Sequence, residues 1–322
     1  MWIIFTFLLG ALVVITIKLA LNLAQMKREM EKSNIILETV ENVKEIIYYC
    51  DVPDLHYRYV SPAVETIFGP NALQEHLDNP NKIFEIVHPD DYEILMKKKL
   101  GTLDYSQPIV VRLKNHLGEY IWFEEYAIPV YEDGKLVAMQ GIYRNINEKV
   151  KLQQQLEHRA THDGLTNLYN RAYFDAKFNQ YNETTDMPIT IAICDLDNLK
   201  YVNDQYGHKT GDDLIKEVTR IFNKVVKNGE FVARIGGDEF AFILVDADEA
   251  RVRELFTHIQ LEVDTANRTN KAFQIEMSKG YASHSSSLHE MERLYMEADN
   301  RMYAEKKTRV RYPASGEIAV GS

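Results

Sequence analysis

Cysteine is nearly absent, with only Cys50 and Cys194 in 322 residues. Two isolated thiols exclude a disulfide framework and a CxxC metal knuckle, so a reducing compartment is expected. Basic residues are also short, 37 Lys and Arg against 48 Asp and Glu, for a formal net charge of -11. That deficit points away from nucleic acid as a partner, and any nucleotide must be held by a local site. Long apolar runs are missing everywhere but at the start. At 45% hydrophobic and 26% charged the remainder is ordinary globular sequence, with room for about two domains.

The exception is "WIIFTFLLGALVVIT", Trp2 to Thr16, with apolar character resuming past Lys18 to Ala24. A helix needs roughly 20 mostly apolar residues to cross a bilayer, and a terminal lysine can snorkel to the headgroups. No positive residue precedes the run and no small-x-small cleavage site follows it, so a retained anchor is expected over 1–24 rather than a cleaved leader. Lys18, Lys27, Arg28 and Lys32 follow it, which places everything downstream in the cytoplasm, after a single pass.

A helical connector is expected over 25–37, in a stretch free of Gly and Pro with apolar Ile35, Ile36, Val40, Val43 and Ile47. Residues 38–147 change texture. "IFEIVHPDDYEILMKKKL" is followed by "PIVVRLKN", "EYIWFEEYAIPVYE" and "KLVAMQGIYRNI", joined through "NHLG" and "EDGK", which predicts an antiparallel meander after a mixed segment. With "HPDD" at His88 to Asp91 and that closing meander, the segment resembles a PAS sensor domain, which implies an antiparallel sheet with helices on one side and a ligand pocket. His88 reads as a turn and helix-start residue rather than a haem ligand, and the flavin-binding cysteine motif is missing. No PAS ligand is identified.

Residues 148–160 form a linker helix whose Val150, Leu152 and Leu156 make a short apolar stripe. It covers too few heptads to separate pairing with a twin from an ordinary amphipathic helix. Beyond it, Ile189 to Cys194 reads as a buried strand that opens at its C-terminal end into Asp195 and Asp197. "TGDD" from Thr210 reads as a capping box closed by Asp213, ahead of Leu214, Val218, Ile221 and Val225 at helical spacing. "FVARI" and "FAFILV" predict a hairpin, and "FQIEMSKGYAS" a further strand, over one sheet. The fold class expected is α/β in the α+β sense.

Between the hairpin strands stands "GGDE". Two glycines allow a tight reversal that side chains would obstruct, and from it Asp238 and Glu239 project as an anionic tip. With Asp195 opposite, three carboxylates suit one or two Mg²⁺ ions that complete their shells with water and phosphate. An arbitrary "GGDE" would be a solvated turn. Here its company decides: "HDGLTNLYNR" at His162 to Arg171, "DLDNLKYVNDQYGHKTGDD" at Asp195 to Asp213 and "GGDEF" at Gly236 to Phe240. In that order they resemble the GGDEF family, the diguanylate cyclases, over 161–314, leaving a tail at 315–322.

The resemblance implies a central, mostly antiparallel sheet flanked by helices. It also implies Asp195, the Leu196 carbonyl, Asp238 and Glu239 as ligands for Mg²⁺ or Mn²⁺, and Lys200 as a triphosphate contact that stabilises transition-state charge. Asn203 and Asp212 would read guanine, His208 would contact substrate, Lys306 would contact phosphate, and Asp238 would act as general base. Guanine's N7 and O6 accept from an amide, and its N1 and N2 hydrogens need an acceptor such as a carboxylate. The reaction implied is condensation of two GTP into cyclic di-GMP and two pyrophosphates, by a homodimer with one GTP per subunit. A catalytically silent GTP-binding sensor or interaction module is the alternative, disfavoured because the motif residues are intact. Two departures stand out. The product-inhibition motif RxxD is replaced by "KNGE", Lys227 to Glu230, and lysine lacks arginine's bidentate fork. The usual "GRN" near the end is missing, which leaves Arg309 or Arg311 as substitutes for its phosphate contact.

Overall fold

The structure is a computed structural model that describes residues 2–227, 229–247, 249–269 and 273–310, with side chains described from residue 18 to residue 309 within those ranges. The chain divides into two units, Met1–Gln153 and Gln154–Ser322.

Unit 1 opens with α1 (Trp2–Glu41), one continuous helix with no break between the expected anchor and connector. Side chains 1–17 lie outside the described residues, and with them most of the expected anchor. Among the described residues no helix is long and apolar enough to cross a membrane. The connector helix continues past its expected end at 37, and the chain then enters β1 (Ile46–Asp51) and β2 (His56–Val60). The short helices α2 (Ala63–Phe68), α3 (Ala72–Asp78), α4 (Lys82–Ile86) and α5 (Tyr92–Lys99) follow. The meander β3 (Ile109–Lys114), β4 (Tyr120–Glu132) and β5 (Lys135–Asn145) closes an antiparallel sheet of order β2-β1-β5-β4-β3. Ile109, Val111 and Leu113 alternate inward on β3 and pack with Val64, Ala72 and Leu95 from the helices, so the helices cover one face.

"HPDD" is a turn and helix start, as expected. The Asp90 N–H donates to His88 Nδ1, and Arg112 grips the Asp91 carboxylate through Nε and Nη2 at 2.8 and 2.7 Å. Inside the sheet the fully buried Glu125 accepts from Tyr48 Oη at 2.5 Å and from Lys98 Nζ, which also donates to Tyr143 Oη at 3.1 Å. Tyr48, Lys98 and Tyr143 border a cavity of about 50 Å³ whose lining also includes Tyr57, Lys99 and apolar side chains such as Leu95 and Met139. Lys98→Met would leave a buried carboxylate without its cation, and should lower the stability of unit 1 by about 3 kcal/mol in a urea titration.

Unit 2 begins on α6 (Asn147–Thr161), which starts in unit 1 and buries no side chain; Leu152 and Leu156 stay exposed. Then come β6 (Tyr169–Asn170), α7 (Arg171–Glu183), β7 (Ile189–Leu196), α8 (Leu199–Tyr206), α9 (His208–Val225) and β8 (Phe231–Arg234). The chain finishes with β9 (Glu239–Val245), α10 (Glu249–Thr269), β10 (Met277–His284) and α11 (Met291–Val310). The sheet order is β10-β7-β9-β8-β6, antiparallel except for the short β6–β8 pair. β7 is buried along its whole length because both of its faces are covered. Ile189, Ile191 and Ile193 pack toward α7 and α11, while Ala192, Cys194 and Leu196 pack toward α8, α9 and α10.

Leu214, Val218, Ile221 and Val225 are buried on α9 as their spacing predicts. The capping box is not formed. α9 starts at His208, after Gly207 turns the chain at φ 82°, so Thr210 already lies within the first turn and its Oγ1 donates to the Tyr206 carbonyl at 3.0 Å. At the other sheet edge α11 rides directly on Gly280, where a Cβ would lie 2.2 Å from the Ala298 carbonyl oxygen and 2.3 Å from the Met302 nitrogen. Gly280→Ala must therefore push the helix off the strand, and should destabilise unit 2 by about 3 kcal/mol in thermal or urea unfolding.

Candidate active site

The acids meet through strand register. Asp195 is the Cα partner of Glu239, and the Leu196 N–H donates to the Asp238 carbonyl at 3.0 Å. Asp195, Leu196, Asp238 and Glu239 therefore share one end of the β7–β9 pair. Lys306 joins them from α11, its Nζ 2.6 Å from Asp195 Oδ1. Burial pulls the Lys306 ammonium down, but Asp195, Asp197 and Asp238 outweigh it and hold its pKa above the usual lysine value. Burial pushes the Glu239 carboxyl up, and Asp238, Asp195 and Asp299 push it further. Burial also raises Asp197, against a Ser278 hydroxyl 2.8 and 2.9 Å from its two carboxylate oxygens and the positive charges of Arg309 and Lys306. The cluster is crowded with negative charge and short of cations.

At the hairpin tip the obstruction expected of side chains holds for Gly236 and not for Gly237. Neither Gly236 nor Gly237 has a positive φ, so the reversal does not draw on glycine's left-handed freedom. Gly236 is needed for clearance, since a Cβ there would lie 2.7 Å from Glu239 Oε2. Among the described residues a Cβ on Gly237 would meet nothing within 4 Å.

Arg234, which the motifs did not single out, ties the tip down. Its Nη2 donates to the Gly237 carbonyl at 2.8 Å, and its Nη1 to Asp163 Oδ1 at 3.1 Å. Burial raises the Asp163 carboxyl, but the Thr166 hydroxyl and N–H and Arg234 carry it below the usual carboxylate range. The "HDGLT" and "GGDEF" segments are thus one bonded structure. Ser278 was likewise missed, and neither residue carries a signal at the level of motif spacing.

The remaining predicted residues sit on the helices that follow β7. Lys200 is exposed on α8 and His208 is exposed at the start of α9, and among the described residues neither is bonded to the acids. Asn203 on α8 is half-buried and rests on Gly211 of α9, next to Asp212, which is also half-buried. Arg309 donates to Glu305 Oε1 at 2.8 Å, and Arg311 lies outside the described residues. In "KNGE", Glu230 is gripped by Arg251 at 2.7 and 2.6 Å and Lys227 Nζ pairs with Glu254 at 3.2 Å, so both positions are neutralised from within.

Among the described residues no three His, Cys, Asp or Glu side chains converge closely enough to hold a metal ion. The donor set of Asp195, Asp238 and Glu239 is all oxygen, which suits a hard cation, and Lys306 now supplies the positive charge on Asp195.

Residues 160–311 match the family described as "Diguanylate cyclase, GGDEF domain", and residues 57–143 that described as "PAS fold". Unit 2 thus carries a GGDEF domain of the diguanylate cyclase family, and unit 1 a PAS-fold domain. The chain is 30% identical over 192 residues to the probable diguanylate cyclase DgcT of Escherichia coli, covering 58% of this chain and 41% of that protein. It is 28% identical over 268 residues to the cyclic di-GMP phosphodiesterase PdeB of Shewanella oneidensis, covering 81% of this chain and 30% of that protein. The chain therefore spans less than half the length of either relative. A crystal structure of the GGDEF domain of DgcB from Caulobacter crescentus, in complex with c-di-GMP, is 33% identical over 46% of this chain and 91% of that one, with a TM-score of 0.40.

The two glycines of the tip should respond differently to a methyl group. Gly237→Ala should unfold within about 1 kcal/mol of the parent, whereas Gly236→Ala must dislodge the Glu239 carboxylate. A titration of the Glu239 carboxyl by NMR should show its raised pKa relaxing in the second variant alone.

Proposed function

We propose that the chain is a diguanylate cyclase that condenses two GTP into cyclic di-GMP with release of two pyrophosphates. The observation that carries this reading is the strand register that brings Asp195, Asp238 and Glu239 to one end of the β7–β9 pair, with the Lys306 ammonium on Asp195. Asp195, the Leu196 carbonyl, Asp238 and Glu239 would hold Mg²⁺ or Mn²⁺, which when bound neutralises phosphate charge and acidifies the attacking hydroxyl. Lys306 would then leave Asp195 for a phosphate oxygen, and Lys200 would steady the triphosphate. Asp238 would take the proton of the 3′-hydroxyl as the α-phosphorus is attacked. Asn203 and Asp212 would read the guanine edge, with His208 beside them.

Gly237 supports a phosphate at the tip. Among the described residues nothing comes within 4 Å of a Cβ placed there, which leaves room for a phosphate to approach the backbone. One GTP per site requires two catalytic domains to face each other about a twofold axis, so the active form is a homodimer. The PAS domain regulates that placement through α6, and the apolar start of α1 anchors the chain in the bacterial inner membrane with both domains cytoplasmic. Tight feedback by cyclic di-GMP at the RxxD position is not expected, because Lys227 lacks arginine's bidentate fork and Glu230 is held by Arg251.

A silent GTP-binding module remains the second reading. Incubation of the full chain in detergent with GTP and Mg²⁺ should yield cyclic di-GMP, and Asp238→Ala should lower the rate at least 100-fold. GTP binding without product in the parent chain would favour the silent module, and full activity in Asp238→Ala would remove Asp238 from the chemistry.

A further inference from the structure

Gly211 lies inside α9, buried, with no positive φ. Glycine there costs about 1 kcal/mol of helix stability relative to alanine, and no turn or left-handed backbone calls for it. What lies over its Cα is the Asn203 side chain of α8. A Cβ on Gly211 would fall 1.9 Å from Asn203 Oδ1, 2.9 Å from its Cγ and 3.3 Å from its Nδ2, and these are the three nearest atoms. The Asn203 amide makes no hydrogen bond to another described residue, so its oxygen and nitrogen stay open to a ligand while it packs on Gly211.

From that geometry we infer that Gly211 is a positioning residue for base recognition: its missing side chain is the seat that holds the Asn203 amide beside Asp212. The inference rests on the proposed reading of Asn203 as a guanine contact, and adds why the helix carries glycine at this point. An amide that reads a purine edge must present donor and acceptor in a fixed plane, and its partners must stay free for the base. A packing contact without a hydrogen bond meets both needs. Any side chain at 211 must rotate or lift the amide, because backbone carries the added Cβ on one side and a flexible side-chain end lies on the other.

The test is a double-mutant cycle on the full chain, read by calorimetric binding of 3′-deoxy-GTP, which lacks the attacking hydroxyl, with 3′-deoxy-ATP as the control base. Asn203→Ala should weaken 3′-deoxy-GTP about 5- to 10-fold, as for a lost hydrogen bond, and leave 3′-deoxy-ATP unchanged. Gly211→Ala should weaken it to a similar extent, and should add nothing when Asn203 is already alanine. The double variant should also melt at or above Asn203→Ala, since the clash has gone and alanine favours the helix. Unchanged binding in Gly211→Ala, or an equal loss in both backgrounds, would overturn the positioning role while leaving Asn203 as a base contact. Unchanged binding in Asn203→Ala would overturn both.

Discussion

The register between β7 and β9 is the constraint on which the site depends. Asp195 faces Glu239, and the Leu196 N–H reaches the Asp238 carbonyl, so carboxylates far apart in the chain arrive at one end of the strand pair. A slip of one residue would turn every side chain of β7 to the opposite face and scatter them. The apolar pattern forbids that slip. Ile191 and Ile193 face α7 and α11, Ala192 and Cys194 face α8 through α10, and both layers are closed to water. The hydrophobic core therefore does the electrostatic work of assembling like charges, against the repulsion that lifts the Glu239 carboxyl.

Glycine marks the other places where unit 2 has been shaped. Gly280 admits α11 onto the sheet edge and so sets the height of Lys306 above Asp195. Gly207 turns α8 into α9 at φ 82°, which folds the Asn203 segment back over the helix bearing Gly211 and Asp212. Arg234 then links the hairpin tip to Asp163, just past the end of α6. A helix whose own residues bury nothing is thereby continuous, within three residues and two hydrogen bonds, with the carbonyl next to Asp238.

Much of this was legible in the residues. The period-2 runs of unit 1, the buried strand ending at Asp195 and the apolar spacing of α9 are local patterns, and local patterns survive folding. Motif order across "HDGLTNLYNR", "DLDNLK" and "GGDEF" brought out the acids and Lys306. What the sequence could not show were relations between segments. Arg234 and Ser278 are ordinary strand residues until the chain folds, when one clamps a carbonyl and the other caps Asp197. The Lys98–Glu125 pair inside unit 1 joins a helix to a strand with no spacing to announce it. The "TGDD" box misled because Gly207 starts the helix earlier, and of the two hairpin glycines only Gly236 meets the obstruction expected of a side chain, from Glu239.

We propose that the Lys306 ammonium now on Asp195 gives way to a divalent ion when nucleotide binds. A crystal structure of the chain with 3′-deoxy-GTP and Mn²⁺, using the anomalous signal to locate the metal, tests it directly. The account predicts Mn²⁺ bound by Asp195 and Asp238, with Lys306 Nζ moved onto a phosphate oxygen. Nucleotide bound with Lys306 still paired to Asp195, and no anomalous density between the strands, would contradict it.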